Sequence, residues 1–110
     1  MFVPSPEEFA AAKAQEERRA ARKPVAIRAQ LRPPGSDRLI VDVTDLSETG
    51  FQIATVYRFQ IGSTVWLAIP SLAPLEAVVA WNRERHYGCR FHRPLYPAVF
   101  DHIVALAGRE

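Results

Sequence analysis

The chain has 110 residues, 48% of them hydrophobic and 24% charged, with a formal net charge of +2. That leaves room for one domain with its own core and not for two, and no stretch approaches the ~20 apolar residues of a membrane helix. Twelve of the 14 basic residues are Arg, which grips phosphates and base edges through paired hydrogen bonds where Lys offers a point charge.

Residues 6–22 are expected to form a helix. Ser5 can cap it, Pro6 suits its first turn, and Glu7 and Glu8 sit at the positive end of the dipole. Arg18, Arg19, Arg22 and Lys23 crowd the other end, and Pro24 ends the helix. Apolar bulk is thin beyond Phe9. Residues 1–23 are therefore expected to be a helical or flexible segment that orders on binding, and 24–110 the folded domain.

From Pro24 the period changes to two. In 25–32, Val25, Ile27, Ala29 and Leu31 share one face, and "PPGSD" (33–37) is a turn. Leu39, Val41 and Val43 alternate in 38–44, and Phe51 and Ile53 share a face in 51–56. After the Gly62-Ser63 turn, 64–70 alternates Val65, Leu67 and Ile69. Segments 73–82 and 86–92 follow, joined by the charged turn "RERH". By alternation Trp81 shares the face of Ala77 and Val79, which makes a core residue one of two readings of it. Six short strands with turn signals between them predict an antiparallel barrel, closed because closure leaves no free edges. Helical spacing returns over 95–107, with Tyr96, Val99, Phe100, Ile103, Val104 and Leu106 on a broad apolar face and Gly108 as a cap. This helix is expected to cover one mouth of the barrel.

Signatures of catalysis are missing: the sequence has no GxxxxGK[ST], GxGxxG, GxSxG or HExxH. His86, His92 and His102 lack ligand spacing to Cys89, the lone cysteine, which sits in an apolar run and reads as a small core residue. No enzyme, cofactor or metal is expected. With one cysteine and no apolar leader at the N-terminus, the expected compartment is the cytoplasm.

Two polar clusters remain. Arg18 and Arg22 are four apart, share a helix face and could close on one anion; they could equally be a solvated face paired with Glu16 and Glu17. "DLSETG" (45–50) could be a plain turn in which Asp45 or Ser47 bonds backbone N–H groups and Gly50 takes a positive φ. The two together, RxxxR at 18–22 and DxSxxG at 45–50, resemble the PilZ domain family. "RKPVAI" at the first strand and "VVAWNRERHYGCRF" near the end are also similar to that family, so the likeness covers about residues 16–107.

The resemblance implies a six-stranded PilZ-type barrel with an N-terminal helical segment and a C-terminal helix. It implies a receptor for the bacterial second messenger cyclic di-GMP that changes shape and signals to a protein partner. Arg18, Arg19, Arg22, Asp45, Ser47, Gly50 and Trp81 are then the ligand-binding residues. The chemistry of the residues agrees. Arg reads phosphate oxygens and guanine O6/N7, a carboxylate accepts from guanine N1 and N2, and an indole stacks on a base. The pattern departs from some family members at Glu17, which stands where they carry a further Arg. Two rival readings are a ligand-independent PilZ-like protein adaptor and a small barrel that binds nucleic acid. Against the latter, Tyr57, Phe59, Trp66, Tyr87 and Phe91 do not form an evident stacking row.

Overall fold

A computed structural model describes residues 22–107. Residues 6–21 of the helix expected over 6–22 lie outside the described residues, as do Arg18 and Arg19. Six strands follow one another: β1 (Lys23–Arg32), β2 (Leu39–Leu46), β3 (Gly50–Ala54), β4 (Thr64–Ala68), β5 (Leu75–Arg83) and β6 (His86–Phe91). One helix, α1 (Pro97–Ala107), ends the described chain. All pairings are antiparallel, and the strands close into a barrel in the order β1-β2-β3-β6-β5-β4. The fold is thus mainly β with one C-terminal helix, as the period-two segments predict.

Alternation builds the interior. Ala29 and Leu31 from β1, Val41 and Val43 from β2, Phe51 and Ile53 from β3, and Val65 and Leu67 from β4 all point inward and are buried. Ala77 and Val79 from β5, and Tyr87, Cys89 and Phe91 from β6, complete the lining. Phe51 and Phe91 meet with ring centroids 5.2 Å apart. Burial pushes the Cys89 thiol pKa up to about 12, so it stays protonated at neutral pH and is packing rather than a nucleophile.

Each end of the barrel is stopped differently. At the end where β1 begins, the connection after β6 is tied to the β2–β3 turn. Leu95 N–H donates to the Glu48 carbonyl (2.7 Å) and Phe91 N–H to the Thr49 carbonyl (2.9 Å). The helix starts at Pro97 rather than at residue 95, because the Pro97 ring disfavours helical backbone at Tyr96 and Pro97 presets the first helical φ. The Tyr96 carbonyl accepts from Val99 and Phe100, both at 3.0 Å. Phe100 and Ile103 then join the barrel's core, so the helix covers this mouth. Among the described residues no helix is long and apolar enough to cross a membrane.

The other mouth is stopped by the β3–β4 loop. β3 ends at Ala54, two residues short of the expected boundary. Thr55 instead bonds the carbonyl of Arg85 and accepts from Tyr57 N–H (2.9 and 3.1 Å). Phe59 packs edge-on against Tyr87, and its N–H donates to the Tyr87 hydroxyl at 3.1 Å. A buried tyrosine thus satisfies a loop amide. Replacing Tyr87 with Phe keeps the ring and removes that acceptor. The expected cost is about 1 kcal/mol, read as a lowered thermal midpoint, with faster hydrogen exchange at the Phe59 amide as the local signature. Unchanged exchange at Phe59 would contradict the anchor.

Candidate functional site: a polar row across the outer face of the barrel

The stretch 45–50 is only half a turn. Asp45 belongs to β2 and Gly50 opens β3, leaving Ser47, Glu48 and Thr49 as the connection. Ser47 is the single buried polar residue among those described, 6% exposed. Its N–H donates to the Gly50 carbonyl at 2.9 Å. Its Oγ accepts from the N–H groups of Thr49 (3.2 Å) and Gly50 (3.1 Å) and lies 3.1 Å from Thr49 Oγ1. The hydroxyl is committed to shaping the turn.

Gly50 is required, though not for its φ. Among the described glycines only Gly35 and Gly62 have positive φ, so the expected left-handed conformation at Gly50 is not found. Gly50 is extended and pairs with Arg90 of β6. A Cβ there would overlap the Cys89 carbonyl oxygen. The constraint is close approach of two backbones, the other reason for a glycine in a strand.

Register then aligns four strands. Asp45 pairs with Gln52, Gln52 with Gly88, and Gly88 with Trp81. Strands lie ~4.8 Å apart, so this row is roughly 14 Å wide. It faces outward. Gln52 sits between the buried Phe51 and Ile53, and Gly88 between the buried Tyr87 and Cys89. A Cβ on Gly88 would overlap the Trp81 indole, so the indole lies over Gly88 on the outside. The expectation that Trp81 shares the inner face of Ala77 and Val79 is therefore wrong.

The cause is a β-bulge between Val79 and Trp81, which inserts one residue and reverses the alternation. β2 does the same between Val43 and Asp45. Without that bulge Asp45 would follow Val41 and Val43 into the core. With it, Leu46 turns inward and the Asp45 carboxylate turns out, its side chain 23% exposed. Thr44 Oγ1 donates to the Gln52 carbonyl at 3.3 Å beside the irregularity.

At the β2 end of the row, Arg22 enters. Its Nη1 lies 3.8 Å from Asp45 Oδ2, with 42% of its side chain exposed. The fold therefore brings together Arg22 of the first motif with Asp45, Ser47 and Gly50 of the second, and sets Trp81 at the far end of the row. Sequence reasoning missed Gln52, the middle member, and Arg90, exposed and in register with Gly50. Gln52 had a signal: it is the polar residue between Phe51 and Ile53. Among the described residues no group of three or more His, Cys, Asp or Glu side chains is placed to hold a metal ion. His92 stands 3.6 Å from Glu76, and His102 meets the Ser71 hydroxyl at 3.3 Å.

The described chain is thus a closed small barrel with Asp45, Gln52 and Trp81 in one row on its outer wall. The PilZ domain model matches residues 16–108, and the chain belongs to that family. It is a family of binding and adaptor domains rather than typical enzymes. A search of curated proteins found no match.

The two glycines give a contrast. Gly50→Ala drives a methyl into immovable backbone and should cost about 2–3 kcal/mol or prevent folding. Gly88→Ala meets only a side chain that can rotate away. It should cost less than Gly50→Ala and expose the indole, seen as a red-shifted Trp81 emission in a Trp66→Phe background. Equal destabilisation by both, without a spectral shift, would refute the difference.

Proposed function

We propose that this protein is a receptor for cyclic di-GMP and carries the signal to a protein partner, in the cytoplasm. The observation that supports it most is the row from Arg22 and Asp45 through Gln52 to Trp81. It offers, along one outer wall, the groups that a ligand of phosphates and guanines requires. Arg22 supplies a guanidinium for phosphate or guanine O6/N7. Asp45 accepts from guanine N1 and N2. Trp81 presents a ring for stacking, a contact worth about 1–3 kcal/mol per base. Ser47 and Gly50 contribute by holding the turn that fixes Asp45. Arg18 and Arg19 complete the proposed set from the segment before the barrel.

Calorimetric titration tests the reading directly. The protein should bind cyclic di-GMP in preference to GTP, GMP and cyclic AMP. A silent titration at tens of micromolar protein, with no displacement of labelled ligand, would overturn it in favour of the ligand-independent adaptor.

Two substitutions test the residues. A charge-assisted hydrogen bond contributes roughly 1.5–3 kcal/mol, so Arg22→Ala should weaken binding about ten- to a hundred-fold while the barrel stays folded. Asp45→Asn should weaken binding by about 1–2 kcal/mol with little change in thermal midpoint, since its ion pair with Arg22 is half-exposed and long. Wild-type affinity in Asp45→Asn would remove the guanine contact from this residue.

A further inference from the structure

The barrel end opposite α1 carries a second surface, separate from the polar row. Val56, Tyr57 and Ile61 project from the β3–β4 loop with exposures of 75%, 43% and 60%. Exposed apolar side chains on a slack loop would mean little, but this loop is held. Phe59 N–H bonds the Tyr87 hydroxyl, and Gly62 N–H bonds the Val79 carbonyl at 2.8 Å. Ser63 Oγ donates to the Gln60 carbonyl at 2.6 Å, and Val79 N–H returns a bond to the Ser63 carbonyl at 2.9 Å. The loop holds its apolar groups in water at a hydration cost, in a conformation already fixed.

Around them stand three arginines. Arg58 is on the loop itself. Arg83 ends β5 and Arg85 lies in the β5–β6 turn, which is tied to the loop where Thr55 N–H meets the Arg85 carbonyl. All three are exposed, and none has an ion pair or side-chain hydrogen bond with another described residue. Glu84, the only acid in this turn, takes φ 55°. A non-glycine residue pays for that conformation. The turn is kept by Asn82, whose Nδ2 donates to the carbonyls of Glu84 (3.1 Å) and His86 (3.0 Å).

We infer that this end of the barrel docks an acidic protein surface with an apolar centre, its carboxylates meeting Arg58, Arg83 and Arg85 around Val56, Tyr57 and Ile61. The composition decides the class of partner. Tyr and Arg are the residues enriched in protein interfaces, and a pre-fixed loop lowers the entropy lost on association. Three arginines with one intervening acid fall short of the four to eight basic residues of a lipid-binding cluster. One exposed aromatic ring, Tyr57, makes no stacking platform for nucleic acid. Because the surface lies beyond the row that ends at Trp81, docking does not depend on nucleotide binding at that row.

The test places p-benzoylphenylalanine at Tyr57 in the full chain, expressed in its own cells, with the same probe at the exposed Tyr96, beside α1 at the other end of the barrel, as control. Irradiation at Tyr57 should yield a protein adduct whose cross-linked segment carries Asp or Glu about an apolar residue. Arg58→Glu with Arg85→Glu should cut that adduct about tenfold, since like charges now face each other. Changing the acids of the cross-linked segment to Lys should restore it. An equal adduct from Tyr96 overturns the inference, as does an adduct indifferent to charge reversal. Adducts only with lipid or nucleic acid, or none at all, overturn it too.

Discussion

The barrel depends on a place where two backbones come too close for any side chain. Four of its six pairings join strands that follow each other in sequence; β3–β6 and β1–β4 do not. At β3–β6, Gly50 lies against the Cys89 carbonyl oxygen, in space that a Cβ would fill. Ser47 delivers Gly50 to that spot by accepting its N–H and donating to its carbonyl. The carbonyls of Glu48 and Thr49 then bind the chain that leads out of β6 into α1. One short turn therefore sets a hairpin, a closure of the sheet and the attachment of the helix.

Two insertions in the ladder decide what the outer wall carries. A regular β2 would bury Asp45 behind Val43, and a regular β5 would bury Trp81 behind Val79. An unpaired carboxylate in the core would cost several kcal/mol, so the alternation has to break before Asp45. Each bulge gives up regular ladder pairing and re-aims one side chain, as bulges beside functional sites do. Because β3 and β6 keep an unbroken register between them, the two re-aimed residues fall on one line through Gln52 and Gly88. The glycine at 88 leaves the indole somewhere to lie.

The sequence carried the number of strands, the closed barrel, the inward faces and the C-terminal helix, because period-two and helical spacings are direct consequences of burial. Its boundaries were displaced at Pro97, which keeps Tyr96 out of the helix, and after Ala54, where the chain bends away from β6 just past the Thr55–Arg85 bond. Asp45, Ser47 and Gly50 stood out through motif spacing, yet the reason for Gly50 was misread. A glycine in "SETG" suggests a left-handed turn, whereas its neighbour across the sheet comes from β6, some forty residues on, and local sequence cannot name it. The same blindness to register hid Gln52 and turned Trp81 to the wrong face. A bulge leaves no mark in a run such as "AVVAWN", where either parity looks apolar.

Being a turn and being part of a site are not rival accounts of 45–50, since its polar groups divide the work. The Ser47 hydroxyl and the Gly50 backbone are used up inside the fold. What remains turned to solvent is the Asp45 carboxylate, and its partner is Arg22 at 3.8 Å, a contact too long for a good hydrogen bond and open to water on both sides. Such a pair is worth at most about 1 kcal/mol. It keeps a cation and an anion side by side on the outer wall. A ligand that presents an anion to the guanidinium and N–H donors to the carboxylate would gain charge-assisted bonds to both, each worth roughly 1.5–3 kcal/mol. On the proposed reading this ion pair is where the ligand is held, and cyclic di-GMP, with phosphate and guanine in one molecule, is a ligand of the kind that engages both of its members at once.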